Sequence, residues 1–446
     1  MSFDLPALPE DWLYAPLDSC CQPNSVTYGV VQPGSALDAG KPLIRVNNFR
    51  DTRIDLSDVM YIAPEIEAKY SRTRLKGGEV LLTIVGSVGQ VAVVSSQYAG
   101  FNVARAVAVI HPLPHVSADW IALCLRSPLS QHLLGSRANT TVQTTINLKD
   151  LRALPIPLPP EPERRTIAEF VRALDDRIEL LRKTNVTLEA IAQALFKSWF
   201  VDFDPVRAKM EGRVPEGMDE ATAALFPDGF EESELGAIPT GWRVLPIGDA
   251  VEAVGGATPD TKRPDYWEPA VHCWTTPKDL SGIAAPVLLD TERKLSDIGL
   301  AKVGSGLLPV GTLLLSSRAP IGYLAITQVP LAINQGYIAM PPGGLLPPLY
   351  MLYWCRQNMG NIKGRANGST FMEISKKAFR PIPALVPPPE IIQAFTNVVQ
   401  TLFDRLVENE KQAQTLALLR DGLLPRLISG QLRLPEAAAE IEAIAA

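Results

Sequence analysis

Two long stretches of the chain carry apolar residues at alternating steps of four and three positions. The first series is Ile167, Val171, Leu174, Ile178, Leu181, Leu188, Ala192 and Leu195, and the second is Phe395, Val399, Leu402, Leu406, Ala413, Leu416 and Leu423. A mean step of about 3.5 residues is the heptad period of helices that pack against other helices. The pattern predicts two long helices, and the first extends for roughly 55 Å because no glycine or proline interrupts residues 163–200.

Polar residues interrupt both series, at Asn185 in the first and at Asn409 and Arg420 in the second. Each helix could pack on its own globular part, or the two helices could pair with each other. The sustained heptad period favours pairing, and a buried asparagine fixes the register of paired helices at a cost in stability. We expect an antiparallel coiled coil with a pseudo-twofold axis. The residues predicted to pair are Ile167, Val171, Leu174, Ile178, Asn185, Leu188, Phe395, Val399, Leu402, Leu406, Asn409 and Leu416.

The remaining sequence predicts mixed globular domains. Short apolar runs next to glycines are typical of strands, and they occur at 80–85, 91–94, 104–110, 312–315 and 323–326. A helical stretch follows the strands in each half, at 120–134 and 350–362. This order favours α+β domains of roughly 150 residues.

The two halves of the chain resemble each other. A shift of 228 positions, without gaps, aligns Arg137-Ala138-Asn139 with Arg365-Ala366-Asn367 and Asp176-Arg177 with Asp404-Arg405. The same shift pairs Ile146 with Ile374, Lys149 with Lys377, Arg152 with Arg380, and prolines 155, 159 and 160 with prolines 383, 387 and 388. Chance explains a single pair but not the whole set, so the sequence indicates a duplication of globular part and helix.

Two kinds of loop recur in both halves and carry candidate binding residues. Glycine-containing loops lie between strands at 86–89 and 317–322, and polar stretches lie at 136–145 and 365–370. The alternatives are plain hairpin turns and ordinary polar surface loops. Arginine pairs with guanine, asparagine and glutamine pair with adenine, and serine and threonine bind phosphates, so the recurring polar stretches favour contact with DNA. The candidates are Arg137, Asn139, Thr141, Gln143, Arg105, Ser87, Arg318, Gln335, Arg365, Asn367, Ser369 and Lys376.

The charge and the cysteines set limits on these interpretations. The formal net charge of the 446 residues is −6, whereas the segment 356–380 has six basic residues against Glu373 alone. The five cysteines form no C-x-x-C pair, which favours a reducing cytoplasm over a disulfide framework. No signal peptide and no apolar stretch of about 18 residues is evident, so no membrane association is expected.

Motifs of common enzymes are absent from the sequence. There is no G-x-x-x-x-G-K-[ST] phosphate loop, no [ND]-P-P-[YF] methyltransferase motif and no Rossmann-like glycine fingerprint. Pro112 and Pro114 separate His111 from His115, which excludes a helical metal site there. An enzyme with cryptic motifs therefore remains the weaker hypothesis, and we expect neither catalytic residues nor a metal in this chain.

Several segments resemble the specificity subunits of type I restriction–modification enzymes. The run PIPLPP at 155–160 resembles the entry to that family's central helix, and LFKSWFVDFDPV at 195–206 resembles its exit. ELGAIPTGW at 234–242 resembles the start of a second recognition domain, and LLPRLISG at 423–430 resembles the carboxyl-terminal close.

The resemblance implies a non-catalytic DNA-binding subunit whose recognition domains each read one half of a bipartite, asymmetric site in double-stranded DNA. It implies two methyltransferase subunits and restriction/translocase subunits as partners, with S-adenosylmethionine, ATP and Mg²⁺ held by those partners and no cofactor in this chain. The implied domains are recognition domain 1 at 1–158, central helical spacer at 159–204, linker at 205–234, recognition domain 2 at 235–386, second helical spacer at 387–430 and tail at 431–446. The alternatives are a methylation-only or type II-like system, and a repeat scaffold that does not bind DNA.

Overall fold

The computed structural model describes residues 5–50, 53–137, 144–368 and 372–437, with the side chain of Arg137 excepted. The chain forms two compact units. The first contains residues up to Arg177 and those from Thr415 onward, and the second contains Ile178–Gln414. Within the described ranges, no helix is both long enough and apolar enough to cross a membrane.

The first unit is built on a four-stranded and a three-stranded sheet. The order of the larger sheet is Thr27–Tyr28, Val107–Ile110, Val80–Thr83 and Val91–Val93, and that of the smaller is Met60–Ile62, Lys41–Ile44 and Asn102–Val103. Two strand pairs complete it, Leu13–Pro16 with Pro155–Leu158 and Phe49–Arg50 with Arg53–Ile54. Its short α-helices are Pro64–Glu67, Ala118–Arg126, Pro128–Arg137 and Leu148–Arg152, and its 3₁₀ helices are Leu17–Cys20, Val46–Asn48, Ala68–Thr73 and Ser96–Tyr98.

The second unit has sheets of the same sizes. The order of the larger is Val287–Leu288, Leu324–Thr327, Leu313–Ser316 and Tyr337–Met340, and that of the smaller is Arg293–Leu295, His272–Thr275 and Leu331–Ile333. The strand pairs are Phe230–Ser233 with Gly236–Pro239 and Arg243–Pro246 with Pro383–Val386. Its short α-helices are Asp204–Met210, Glu220–Leu225, Ile247–Ala250, Asp297–Leu300, Pro348–Gln357, Met359–Gly364 and Lys376–Phe379, and its 3₁₀ helices are Pro264–Tyr266 and Pro277–Leu280.

The predicted mixed α+β class is confirmed, and the predicted strands begin within three residues of the observed ones. The central strands Val80–Thr83 and Leu313–Ser316 are buried at every position, which explains their continuous apolar runs. The stretch predicted as one helix at 120–134 is two helices, because Pro128 disfavours helical backbone at Ser127, whose ψ is 148°.

The two long helices span Glu161–Phe200 and Pro389–Ile428. Prolines 162 and 389 lie in the first turns, where the missing N–H has no intrahelical partner to lose. In the first unit, Ile167 and Val171 of the first long helix share a core with Leu423 and Leu427 of the second.

In the second unit, the same two helices share a different core. Phe196 of the first long helix lies within ring contact of Phe395 of the second, with centroids 5.8 Å apart. In the same unit, the Asn409 side-chain amide donates to Asn185 Oδ1 at 2.9 Å, and Asn185 Nδ2 donates to the Leu406 carbonyl at 3.3 Å. Both asparagines are 2% exposed, so each buried amide is satisfied across the helix pair.

The segment 205–234, predicted as a linker, contains the helices Asp204–Met210 and Glu220–Leu225 and the strand Phe230–Ser233. Its Phe226 is 1% exposed and packs edge-on against Trp199, with ring centroids 5.2 Å apart. This segment therefore contributes to the apolar core of the second unit.

Candidate nucleic-acid interface

The candidate interface of the first unit starts where the parallel strands Lys41–Ile44 and Asn102–Val103 end. The Val30 N–H donates to the Val103 carbonyl at 2.7 Å, and the Ala104 N–H donates to the Ile44 carbonyl at 2.9 Å. The Arg105 N–H then donates back to the Val30 carbonyl at 2.9 Å. The backbone of Arg105 is thus fixed at the ends of two strands, while its side chain is exposed.

Matching hydrogen bonds surround Gln335 in the second unit, where the parallel strands His272–Thr275 and Leu331–Ile333 end. The Ala257 N–H donates to the Ile333 carbonyl at 3.1 Å, and the Asn334 N–H donates to the Thr275 carbonyl at 3.0 Å. The strand registers agree, since Ile44 lies opposite Val103 and Thr275 lies opposite Ile333. Arg105 and Gln335 therefore follow the same point of the two smaller sheets.

The glycine loops and the ends of the polar stretches lie beside these positions. In the first unit, the Ile84 N–H donates to the Ala106 carbonyl at 2.8 Å, and the Ile146 N–H donates to the Ile84 carbonyl at 2.9 Å. In the second, the Ser317 N–H donates to Gly336 at 2.8 Å and the Ile374 N–H to Ser317 at 3.0 Å. In each unit, the glycine loop, the end of the polar stretch and the segment around Arg105 or Gln335 therefore lie next to one another.

Two glycines allow this close packing. A Cβ atom at Gly29 would lie 1.8 Å from the Val103 carbonyl oxygen, and one at Gly256 would lie 1.7 Å from that of Ile333. Both distances are far below van der Waals contact, so only glycine fits at either position without movement of the backbone. We refer to the hydrogen bonds and glycine around Arg105, and to those around Gln335, as the two backbone frames.

A surface cleft of 580 Å³ adjoins the frame of the first unit. Its polar residues are Arg45, Asn47, Arg50, Ser87, Gln90 and Arg105. Arg45 and Arg50 are paired with carboxylates, at 3.2 Å to Asp58 and 3.7 Å to Asp55. Ser87 and Arg105 were predicted from the sequence, and the other four residues were not. The signal for Arg45, Asn47 and Arg50 is the run RVNNFRDTR at 45–53, with three arginines and two asparagines.

A buried polar network supports the strand that leads to Arg105. Glu67 is 1% exposed, and Arg74 donates to both of its oxygens, from Nε at 2.8 Å and Nη2 at 2.5 Å. Asn102 donates to Glu67 Oε1 at 3.1 Å and accepts the Val103 N–H at 2.9 Å. The hydrogen bonds from Arg74 hold the pKa of Glu67 below its ordinary value, with a smaller contribution from Asn102.

The predicted residues of the second unit lie around its frame. The Thr258 hydroxyl donates to Gln335 Oε1 at 2.7 Å, and the Lys376 ammonium lies beside Gly255. Arg318 of the glycine loop forms an ion pair of 3.6 Å with Glu373. Basic and amide groups are thereby collected next to the strand ends, and the carboxylates of Glu373 and Asp279 lie close to them.

Two other predicted residues lie in the polar stretch of the second unit itself. The half-buried Arg365 donates from Nε to Asn361 Oδ1 at 3.2 Å. The backbone of Asn367 exchanges two hydrogen bonds of 2.9 Å with that of Glu373. The predicted residues Asn139, Thr141, Gln143 and Ser369, and the side chain of Arg137, lie outside the described residues.

Some basic residues of the segment 356–380 have structural contacts. Arg380 donates to the Ala253 carbonyl at 2.8 Å, and Arg152, its counterpart in the duplication, donates to that of Val26 at 2.7 Å. Arg356 forms an ion pair with Glu189 on the first long helix, and burial raises the pKa of Glu189 despite this pairing. The positive charge of this segment is therefore only partly available to a ligand.

The family model of the type I restriction modification DNA specificity domain matches residues 36–190 and 239–417. The chain belongs to this family. The first matched stretch includes Arg105 and the second includes Gln335. The family predicted from the sequence is confirmed.

Known relatives agree with this assignment. The specificity subunit of type I restriction enzyme MjaIX of Methanocaldococcus jannaschii is 36% identical over 185 residues, which are 41% of this chain and 42% of that protein. The HindI specificity subunit of Haemophilus influenzae is 27% identical over 338 residues, 67% of this chain and 72% of that protein. The first of these matches spans less than half of either chain.

A solved structure is similar along almost the whole chain. The type I restriction-modification S subunit from M. genitalium aligns with a TM-score of 0.53 and 15% sequence identity, over 93% of this chain and 96% of that chain. At 15% identity, this similarity establishes the fold and not the function.

Proposed function

We propose that this chain is the DNA-reading subunit of a type I restriction–modification complex and that each unit reads one half of a split, asymmetric site. The observation that carries the proposal is the pair of backbone frames, which hold exposed polar side chains at corresponding strand ends. Base edges are recognised by arginine and amide side chains on a rigid support, and these are the residue types at Arg105 and Gln335.

The remaining predicted residues are assigned to the same interface. Arg318, Lys376 and Ser87 lie near the frames, and Arg365 lies in the second polar stretch. These side chains would bind phosphates or base edges. The residues of the polar stretches outside the described ranges keep the roles predicted from the sequence. The boundaries of the recognition domains, spacers and linker also stand as proposed above.

The two long helices have the proposed role of an antiparallel coiled coil within a pseudo-twofold arrangement. Shared cores in each unit and the buried contact of Asn185 with Asn409 support this role. In this arrangement the helices set the length of DNA between the two half-sites and bind two methyltransferase subunits. Those subunits would hold S-adenosylmethionine and methylate adenine N6, and the restriction subunits would hold ATP and Mg²⁺.

The net charge of −6 fits a subunit that acts within a complex. Phosphate neutralisation by lysine and arginine supplies most of the non-specific affinity of proteins for DNA. We infer that basic methyltransferase subunits provide much of that affinity, while this chain provides the selection of sequence.

The test is reconstitution of the full chain with the methyltransferase subunit of its own host. We expect a stable complex that protects one split sequence from nuclease at a salt concentration where scrambled duplexes are released. Recovery of a stable complex without any sequence-dependent protection would contradict DNA recognition and favour a protein-only scaffold. Failure to recover a methyltransferase at all would contradict the proposed assembly.

A further inference from the structure

We propose that Arg105 and Gln335 are corresponding base-selecting residues, Arg105 for a guanine in one half-site and Gln335 for an adenine in the other. The proposal rests on the DNA-recognition function proposed above and adds to it the reading positions and the bases they select. It follows from the two backbone frames, from the exposure of both side chains and from the chemistry of the two residues.

The correspondence of the two positions is set by the backbone. Each residue lies two positions beyond the last paired residue of a parallel strand, Val103 or Ile333. In both units, the residue in between donates its N–H to the neighbouring strand, at 2.9 Å for Ala104 and 3.0 Å for Asn334. The side chains of Arg105 and Gln335 therefore extend from equivalent backbone positions.

The supports are also rigid. Val103 and Ile333 are fully buried, and Gly29 and Gly256 are packed directly against their carbonyl groups. A side chain that leaves a fixed backbone loses less conformational entropy when it binds, which favours discrimination between bases. Both positions have this property.

Arg105 has its guanidinium available for a ligand. Its neighbours in the cleft, Arg45 and Arg50, are paired with Asp58 and Asp55. Among the described residues, the side chain of Arg105 has neither a hydrogen bond nor an ion pair. A free guanidinium matches the two acceptors of guanine, O6 and N7, in the major groove.

Gln335 presents an oriented amide. Its Oε1 accepts the Thr258 hydroxyl at 2.7 Å, which orients the amide and leaves a second lone pair on Oε1. Within the part of the chain that the structure describes, its NH₂ group has no hydrogen-bond acceptor. An amide that accepts and donates side by side matches the N6 donor and N7 acceptor of adenine. The difference in residue type at corresponding positions would make the two half-sites different.

The experiment exchanges the two side chains within the full chain in the assembled complex. Arg105→Gln and Gln335→Arg are made separately, and methylation rates are measured on duplexes that carry each of the four bases at every position of the site. The matched controls are Arg72→Gln and Gln357→Arg, which make the same changes at exposed positions outside the frames.

We expect Arg105→Gln to lose preference for guanine at one position of one half-site, by roughly five- to 150-fold, and to gain activity with adenine there. Gln335→Arg should make the converse change at one position of the other half-site. Both controls should retain the original specificity.

Two results would overturn the assignment while DNA recognition stands. One is an unchanged base preference in both variants, and the other is an equal loss of rate on all four bases, which marks a phosphate contact. Absence of any preferred site in the unaltered complex would instead overturn the proposed function, and the assignment of Arg105 and Gln335 with it.

Discussion

Arg365 is the arginine of the second polar stretch, 365–370. A hydrogen bond from its Nε to Asn361 Oδ1 orients its side chain. Replacing Arg365 with glutamate should weaken target binding by the assembled complex about tenfold or more, because a contact worth roughly 1–3 kcal/mol is replaced by repulsion from phosphate. Arg243→Glu, at an exposed strand position, is the matched control. Titration with the target duplex at fixed salt measures the effect, and equal affinities for both variants would remove the polar stretch from the interface.

Glu67 gives a second test at the scale of the residue. The hydrogen bonds from Arg74 lower its pKa in the folded state, so its contribution to stability is present above the unfolded pKa of about 4.3 and is lost as the pH falls through the folded value. Glu67→Gln should lower the free energy of unfolding by about 1–2 kcal/mol at neutral pH, because the buried carboxylate loses its charge-assisted hydrogen bonds with the partly exposed Arg74. Glu65→Gln is the exposed control.

Thermal unfolding between neutral and acidic pH distinguishes the two substitutions. The difference in Tm between the unaltered protein and Glu67→Gln should shrink as the pH falls, and Glu65→Gln should follow the unaltered protein throughout. A difference that stays constant with pH would show that Glu67 does not act through its charge.

The candidate residues were found from the sequence only in part, for a physical reason. Arg105 lies alone between two alanines, and Gln335 lies in the short polar pair Asn334-Gln335 after an apolar run, so both are conspicuous in the sequence. Arg45 and Arg50 line the same cleft as Arg105 because Ile44 pairs with Val103. These two strand residues are far apart in the sequence. Periodicity reports local structure, so it could not show which of the many surface arginines this long-range pairing would bring together.

At the scale of the element, the heptad pattern is the feature that the sequence predicts best. The predicted interval without glycine or proline, 163–200, lies within the observed helix Glu161–Phe200. Predicted seam residues such as Ile167, Val171 and Val399 are almost fully buried. The heptad pattern repeats over many turns, so errors at single positions do not obscure it. The strands of the smaller sheets have only two to four residues and leave almost no pattern.

The paired asparagines allow a double-mutant cycle on this element. Asn185→Leu alone leaves the buried Asn409 amide without a partner and should lower the free energy of unfolding by about 1–3 kcal/mol. Adding Asn409→Leu should restore most of that loss, because two apolar residues then face each other. Denaturant unfolding of the four proteins measures the coupling, and additive effects would show that the two amides do not interact.

At the scale of the molecule, the two compact units divide the chain by packing, which is a different division from the proposed recognition domains and spacers. The first unit extends to Arg177 and includes the residues from Thr415, whereas recognition domain 1 was predicted to end at residue 158. The reason lies in packing, since Ile167 and Val171 belong to the same core as Trp120 of the globular part. Each long helix thus contributes to the stability of both units. The proline runs in the sequence mark where a helix begins, and the apolar core continues beyond them.

The measurement that tests DNA recognition most directly is a map of modified bases in host DNA with and without this gene. We predict that a split motif carrying N6-methyladenine is methylated in the parent strain and unmethylated after deletion, and that the intact gene restores it. A motif that stays methylated after deletion, with no other motif lost, would contradict the proposal that this chain selects the sites its partners modify.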